Sequence, residues 1–436
     1  MIASTRRAVR RIAMLSVHTC PLATLGGKKT GGMNVYVRDL SRAFSQRGIK
    51  VDVFTRSQDP CAPHVNLTLA EHARVIHSPT GPESPLETNA VYPYLPQFVD
   101  NVLAFSEREN LSYDVVYSHY WLSGWAAHEL RASWQSPVVQ MFHTLGHMKN
   151  RIAGQPDDPS KDIRVFTETD IMSWAEALIA ATPAERAQML WLYQADRRKI
   201  HIVPPGVDLE HFHPLDREQA KTAIGVPPTN RMLLFVGRIE RLKGIDTLLH
   251  AIAIMRREQP ETCQALCMSI IGGDPDDPTH EEMARLKATS ESLNLHDLVA
   301  FVGKKDQDSL RYYYNAAEAL VMPSDYESFG MVALEAMACG TPVIASEVGG
   351  LAYLVRDGEN GFHVPVREPE ALAARITCML EDPARRARMS QVALETAQHY
   401  AWPDIADRLL EIFATLPGVP GVPGSATPQP PALPAV

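Results

Sequence analysis

The stretch PSDYESFGMVALEAMACGTPVIASEVGG, Pro323 to Gly350, decides the fold. It opens as a loop, because Ser324, Asp325, Tyr326 and Glu327 are polar and favour turns over regular structure. Met331, Val332, Leu334, Met337 and Ala338 then fall on one face of a short helix. Gly340 and Pro342 end it. Val343 to Ala345 is short, apolar and β-branched enough for a buried strand, and Gly349-Gly350 opens the next loop. Loop, helix and buried strand in this order belong to an α/β protein.

Two carboxylates bracket the junction of loop and helix: Glu327 in the loop and Glu335 eight residues on, inside the helix. A helix starting near Gly330 points unpaired N–H groups and a partial positive charge at whatever precedes it. Such an end seats a diphosphate. A carboxylate one or two turns in accepts hydrogen bonds from a vicinal diol such as a ribose. The plain alternative, two solvated glutamates, fits poorly with the surrounding loop, glycine and helix pattern. The segment resembles the E-x7-E signature of the retaining family 4 glycosyltransferases, which have the GT-B fold. The resemblance runs from about residue 11 to residue 412 and rests on several separate motifs.

With 436 residues the chain can hold two or three domains, each with its own core. A charged fraction of 21% and an apolar fraction of 45% are ordinary for a globular protein. The net charge of −9 gives no support for nucleic-acid binding. Cys20, Cys61, Cys263, Cys267, Cys339 and Cys378 are scattered, which suits a reducing, cytoplasmic setting. Cys263 and Cys267 lack a second Cys or His pair and read as core or strand thiols, not metal ligands. The arginines Arg6, Arg7, Arg10 and Arg11 precede an apolar run too short for a signal peptide, so this start reads as a ragged basic terminus. No run approaches the ~18 apolar residues of a membrane span.

Ile12 to Val17 reads as a buried first strand. The loop His18 to Thr30 follows, and Gly31-Gly32-Met33-Asn34 leads into a helix, Val35 to Gln46, that ends at Gly48. Val51 to Thr55 is the second strand. Strand, glycine-rich turn, helix and strand open a doubly wound sheet. The turn is no Walker A loop, since Gly27-Lys28-Lys29 has the wrong spacing and ending, and a G-x-G-x-x-G fingerprint is absent. Gly31-Gly32 still lets backbone approach a phosphate. Pro79 to Pro96 is an irregular Pro-rich loop of the type used in binding. Tyr113 to Ser118 and Pro137 to Phe142 are further strands, with His119-Tyr120 and His143-Thr144 just past their ends. That is where parallel sheets bind ligands. Lys149 to Asp162 is polar and expected to be mobile. Arg164 and Glu168 enter a helix expected to reach Ala180.

Val203-Pro204-Pro205-Gly206-Val207-Asp208 reads as the boundary between halves. Met232 to Val236 restarts a sheet, and the loop from Gly237 to Gly244 carries Arg238 and Lys243. Two fixed cations at a strand end can neutralise a diphosphate leaving group. Ser269 to Gly273 and Ala300 to Val302 are further strands. Asp274-Pro275-Asp276 contains D-x-D, but Asp beside Pro after a glycine pair makes a turn, and no metal site is expected there. Pro365 to Thr415 is helical. Leu416 to Val436 is rich in Pro, Gly and Ala and is expected to be disordered.

The resemblance then implies the following. The fold is GT-B, with an acceptor-side half over residues 1–203, a nucleotide-sugar-binding half over 204–400, and a helix within 401–415 that returns to the first. Glu335 binds the donor ribose, Arg238 and Lys243 the diphosphate, and Lys305 lies near the base. Glu327, Phe329, Gly330 and Gly32 lie beside the sugar and phosphates. His143 joins Arg238, Lys243 and Glu327 in catalysis. Asn34, Thr88, Tyr120, Thr144, Lys149 and Arg164 face the acceptor. The reaction retains the anomeric configuration and needs no cofactor beyond a nucleotide sugar, UDP-linked. A homodimer is compatible with this reading. The GGMN, SHYWLSG and HTLxxxKN pieces resemble the inositol-phosphate N-acetylglucosaminyltransferases of mycothiol synthesis. The VDVFTR, YLPQFVD and FHTLG pieces resemble sucrose-phosphate synthases. In both branches a phosphate-binding lysine aligns with Thr88. A sugar-nucleotide epimerase of the same fold and a sugar-binding protein with a dead site are the rival readings.

Overall fold

Apolar runs such as Ile12-Ala13-Met14-Leu15 and Met232-Leu233-Leu234-Phe235 leave no face for water, and each becomes a central strand buried on both sides of a parallel sheet. The structure, a computed structural model, describes residues 6–7, 9–23, 31–152, 162–419 and 421–422. The strands in chain order are β1 (Arg6–Arg7), β2 (Arg11–Leu15), β3 (Lys50–Arg56), β4 (Val65–Ala70), β5 (Ala73–Ser78), β6 (Val115–His119), β7 (Val138–Met141), β8 (Ala177–Ala180) and β9 (Ile200–Ile202). Then come β10 (Arg231–Val236), β11 (Leu266–Ile271), β12 (Val299–Gly303), β13 (Ala317–Met322), β14 (Val343–Ser346), β15 (Gly361–Val364) and β16 (Gly421–Val422).

The first sheet runs β4-β5-β3-β2-β6-β7-β8-β9 and the second β12-β11-β10-β13-β14-β15. Every neighbouring pair in both is parallel except β4 with β5. Strand order reverses between β2 and β6 in one sheet and between β10 and β13 in the other. Each half is therefore a doubly wound, Rossmann-like unit with a topological switch point. The final long helix, Trp402–Phe413, lies against the first half. Phe413 meets Phe44 at 6.1 Å between ring centroids, and Arg47 pairs with Asp407 at 2.7 Å. No helix among the described residues is long and apolar enough to cross a membrane.

Several expectations are corrected. The helix entered by Arg164 and Glu168 ends at Trp174, and Ala177-Leu178-Ile179-Ala180 is β8. All four residues are buried, so this Ala-rich run is a central strand rather than a helix end. Pro79 to Pro96 is only partly irregular: a 3₁₀ turn covers Thr88–Tyr94, and a helix begins at Leu95. Lys149 lies in the helix Gly146–Ile152, while the middle of the polar stretch after it is outside the described residues. The basic start is not simply ragged, because Arg6–Arg7 pairs antiparallel with Gly421–Val422. The tail likewise begins packed, with Leu416 and Val419 buried. Lys28, Lys29 and residues 423–436 lie outside the described residues.

Candidate active site

Most of the sequence-derived site residues lie on the loops and helix starts that follow the switch strands and β7, while Thr88, Lys149, Arg164 and Lys305 lie on other elements. In the first half these loops follow β2 and β6, and β7 contributes the next. In the second half they follow β10 and β13. A ligand crevice opens outside the carboxyl ends of such strands.

In the second half, Lys243 Nζ lies 2.6 Å from Glu327 Oε2. The loop carrying Lys243 is bound to the loop carrying Glu327 by Asp325 N–H, which donates to Leu242 O at 2.8 Å. Gly349 packs so closely beneath Glu327 that a Cβ would lie 1.8 Å from its carbonyl oxygen, at φ +48°. Arg238 pairs with Glu240 at 2.7 Å and is half exposed. Glu335 is buried on the helix Met331–Ala338 and accepts from the Tyr314 hydroxyl at 2.7 Å. Burial, with Asp39 adding to it against the Tyr314 hydroxyl, pushes the Glu335 carboxyl up to about 7. Phe329 is buried, its ring 5.9 Å from that of Tyr400. Lys305 is half-buried in the loop after β12. Asp274 makes a turn by accepting from Asp276 N–H at 3.0 Å, and no metal-holding group of three His, Cys, Asp or Glu occurs among the described residues.

In the first half, Gly32 and Asn34 fall inside the helix Gly32–Gln46 rather than before it. The Asn34 amide is engaged with its own loop: it donates to Thr19 Oγ1 at 2.6 Å and Cys20 O at 2.7 Å, and accepts from Gly31 N–H at 3.0 Å. Tyr120 (φ +76°) and His143 (φ +61°) both hold a positive φ. Such backbone is uncommon outside glycine and clusters at functional positions. The Arg164 guanidinium stacks 4.8 Å over the Tyr120 ring, donates to Thr144 O and Oγ1 at 2.6 and 3.1 Å, and pairs with buried Glu168 at 2.7 Å. His143 shares a 3.1 Å hydrogen bond with fully buried His119. Burial, and then His18, push the His143 imidazole down to about 3, so it is neutral near pH 7. Thr88 opens the 3₁₀ turn and has no hydrogen bond placing it with the other site residues.

The halves meet at their helix ends. A Cβ at Gly32 would lie 3.1 Å from Met331 Sδ, so the amino ends of two helices, one from each half, face each other. Arg238 reaches the first half electrostatically. Lys149 is exposed, yet desolvation first, then Arg164 and Arg238 against the pull of Glu240, draw its pKa below the usual lysine range. The sequence reading missed Tyr314, which no spacing singles out. It also missed Arg38, which lies one turn beyond Asn34 and donates to Gln307 in the second half at 2.5 Å.

Two parallel-sheet halves with facing switch points, and cations and helix ends gathered between them, define a glycosyltransferase of the GT-B class. The chain belongs to family 4 of these enzymes, the retaining group. Residues 30–211 match the family described as Glycosyltransferase Family 4, and residues 216–396 match Glycosyl transferases group 1. A D-inositol 3-phosphate glycosyltransferase of Catenulispora acidiphila is 38% identical over 93% of this chain and 95% of its own. That of Nocardiopsis dassonvillei is also 38% identical, over 92% and 94%. Among solved structures, the sucrose-phosphate synthase of Thermosynechococcus elongatus superposes with a TM-score of 0.83 at 34% identity, covering 93% of this chain and 98% of that one. Anabaena HepE, solved with UDP-glucose, shares the fold at a TM-score of 0.69 and 19% identity, covering 93% and 100%.

Proposed function

We propose that the chain transfers a hexosyl group from a UDP-linked sugar, UDP-glucose or UDP-GlcNAc, to a small polyol or sugar acceptor with retention. The observation that carries this reading is the meeting of two helix amino ends at Gly32 and Met331, with Lys243 held by Glu327 in the loop that leads into the second helix. Helix ends with a fixed cation on the adjoining loop suit a diphosphate that gains charge as it leaves. Glu335 takes the donor ribose, Lys305 lies by the base, and Glu327, Phe329 and Gly330 sit beside the sugar. The acceptor hydroxyl oxygen attacks the anomeric carbon on the face from which the diphosphate departs. The bond from that carbon to the diphosphate oxygen breaks, its electron pair leaves with the diphosphate, and the acceptor proton passes to a diphosphate oxygen. No dedicated base is required. Neutral His143 acts as a hydrogen-bonding group, and catalysis rests on positioning and charge stabilisation.

The acceptor meets Tyr120, Thr144, Lys149 and Arg164. The Arg164 charge is already engaged by Glu168, and the family resemblance puts Thr88 where a phosphate-binding lysine is expected. We therefore assign a non-phosphorylated acceptor, or a phosphorylated one held weakly. Incubation with a panel of nucleotide sugars and acceptors, with products detected by mass, tests the reading. A glycoside supports it. A C2-inverted nucleotide sugar supports epimerisation instead, and binding without turnover supports a dead site.

A further inference from the structure

The chain crosses between the halves twice, and the two crossings are joined: Val207 bridges Ala401, and its N–H donates to Tyr400 O at 2.8 Å. Trp402 follows at once, starting the final long helix. Its indole lies against the other crossing, where a Cβ on Gly206 would come within 2.6 Å of the ring. The indole is buried, and its N–H finds no hydrogen-bond partner among the described residues, so packing rather than a polar tether sets its place. That packing includes an edge-on contact with Tyr36, 5.4 Å between centroids at 84°.

Tyr36 is fully buried and shares a 2.7 Å hydrogen bond with the Tyr117 hydroxyl. Its ring meets His143 at 5.1 Å and 79°, and His119 at 5.5 Å and 61°. His143 thus sits on strained backbone with aromatic edges and a second imidazole around it. A ring set by such contacts moves when the neighbouring rings move.

We propose that Trp402 and Tyr36 are positioning residues that tie the placement of the His143 imidazole to the crossing between the halves. This rests on the reading of His143 as part of the reaction centre. A rotation about residues 206–207 and 400–402 shifts the indole, the indole shifts Tyr36, and Tyr36 carries the shift to His143. The setting of the halves is then felt where the bond is made.

The test is a double-mutant cycle on the full-length enzyme. Trp402→Leu should lower kcat about 10-fold or more, as misplacement of a reacting group does, with the donor KM changed less than about two-fold. Trp402→Phe, which keeps a ring edge, should restore most of kcat. In a His143→Ala background Trp402→Leu should have little further effect, because the group it positions is gone. Equal losses in both backgrounds would mean a merely structural role and would overturn the proposal. So would an unchanged kcat in Trp402→Leu while His143→Ala is crippled. A fully active His143→Ala enzyme would instead remove His143 from the reaction centre, and this inference with it. If Trp402→Leu does not fold, Tyr36→Leu with Tyr36→Phe as its rescue runs the same cycle.

Discussion

Lys243 Nζ and Glu327 Oε2 form a 2.6 Å ion pair with only 14% and 16% of their side chains exposed. The partners come from the loops after the two switch strands of the second half. On the proposed reading, a diphosphate bound at Lys243 would compete with Glu327 for the ammonium.

Removing either cation should therefore slow the reaction, but with different side effects. Arg238→Ala and Lys243→Ala are each expected to lower turnover on the order of 10²-fold or more. Lys243→Ala also strands Glu327, at a cost of about 3 kcal/mol, and should lower the Tm. Arg238 is half exposed and its pairing with Glu240 contributes little, so Arg238→Ala should melt like the wild type. Near-normal turnover in both variants would take these residues out of the site.

Glu335 makes stability depend on pH in an uncommon direction. Its carboxyl is raised from 4.5 to about 7 in the folded chain, chiefly by burial, so the folded state holds the proton more tightly. The stabilisation is complete below about pH 4.5 and is lost as pH rises through 7. Glu335→Gln keeps an acceptor for Tyr314 and should raise the Tm at pH 8 while leaving it unchanged at pH 4. The cost removed at pH 8 is on the order of 3 kcal/mol. The same variant should raise the donor KM, because an amide accepts fewer bonds from a ribose diol. A Tm difference that is the same at both pH values would place the carboxyl's titration elsewhere.

Turnover should not depend on a divalent metal. The expectation follows from the cations already at the crevice and from Asp274, whose carboxylate is engaged in a turn. Excess EDTA should leave the rate largely unchanged. Loss of activity that Mg²⁺ or Mn²⁺ restores would reverse this.

Thr88→Lys should lower the KM for inositol phosphate or fructose 6-phosphate more than for the free polyol or sugar. A charge-assisted bond is roughly twice as strong as the neutral one a threonine hydroxyl offers. If the wild type already prefers phosphorylated acceptors and the variant changes nothing, Thr88 does not face the acceptor phosphate.

Much of this was legible from local pattern. The helix at Met331–Ala338 ends where Gly340 and Pro342 said it would, and β14 falls on Val343–Ser346. Long-range facts were not legible. Local pattern does not reveal β4, β5, β9, β13 and β15, whose faces are fixed by the sheets they join, and it makes Ala177–Ala180 a helix end because alanine suits both. The engagement of Asn34 with Thr19 and Cys20 depends on a chain reversal no spacing reveals. The contact of Gly32 with Met331 joins residues nearly three hundred positions apart.

The return of the last long helix to the first half has a consequence for engineering. Trp402, Asp407 and Phe413 pack on Gly206, Tyr36, Arg47 and Phe44, although they follow the whole second half in the chain. A chimera that takes its second half from a relative by a single cut near residue 204 would graft a foreign helix onto this surface. Shuffling the second half therefore calls for two junctions, one at each crossing, so that the native C-terminal segment travels with the first half.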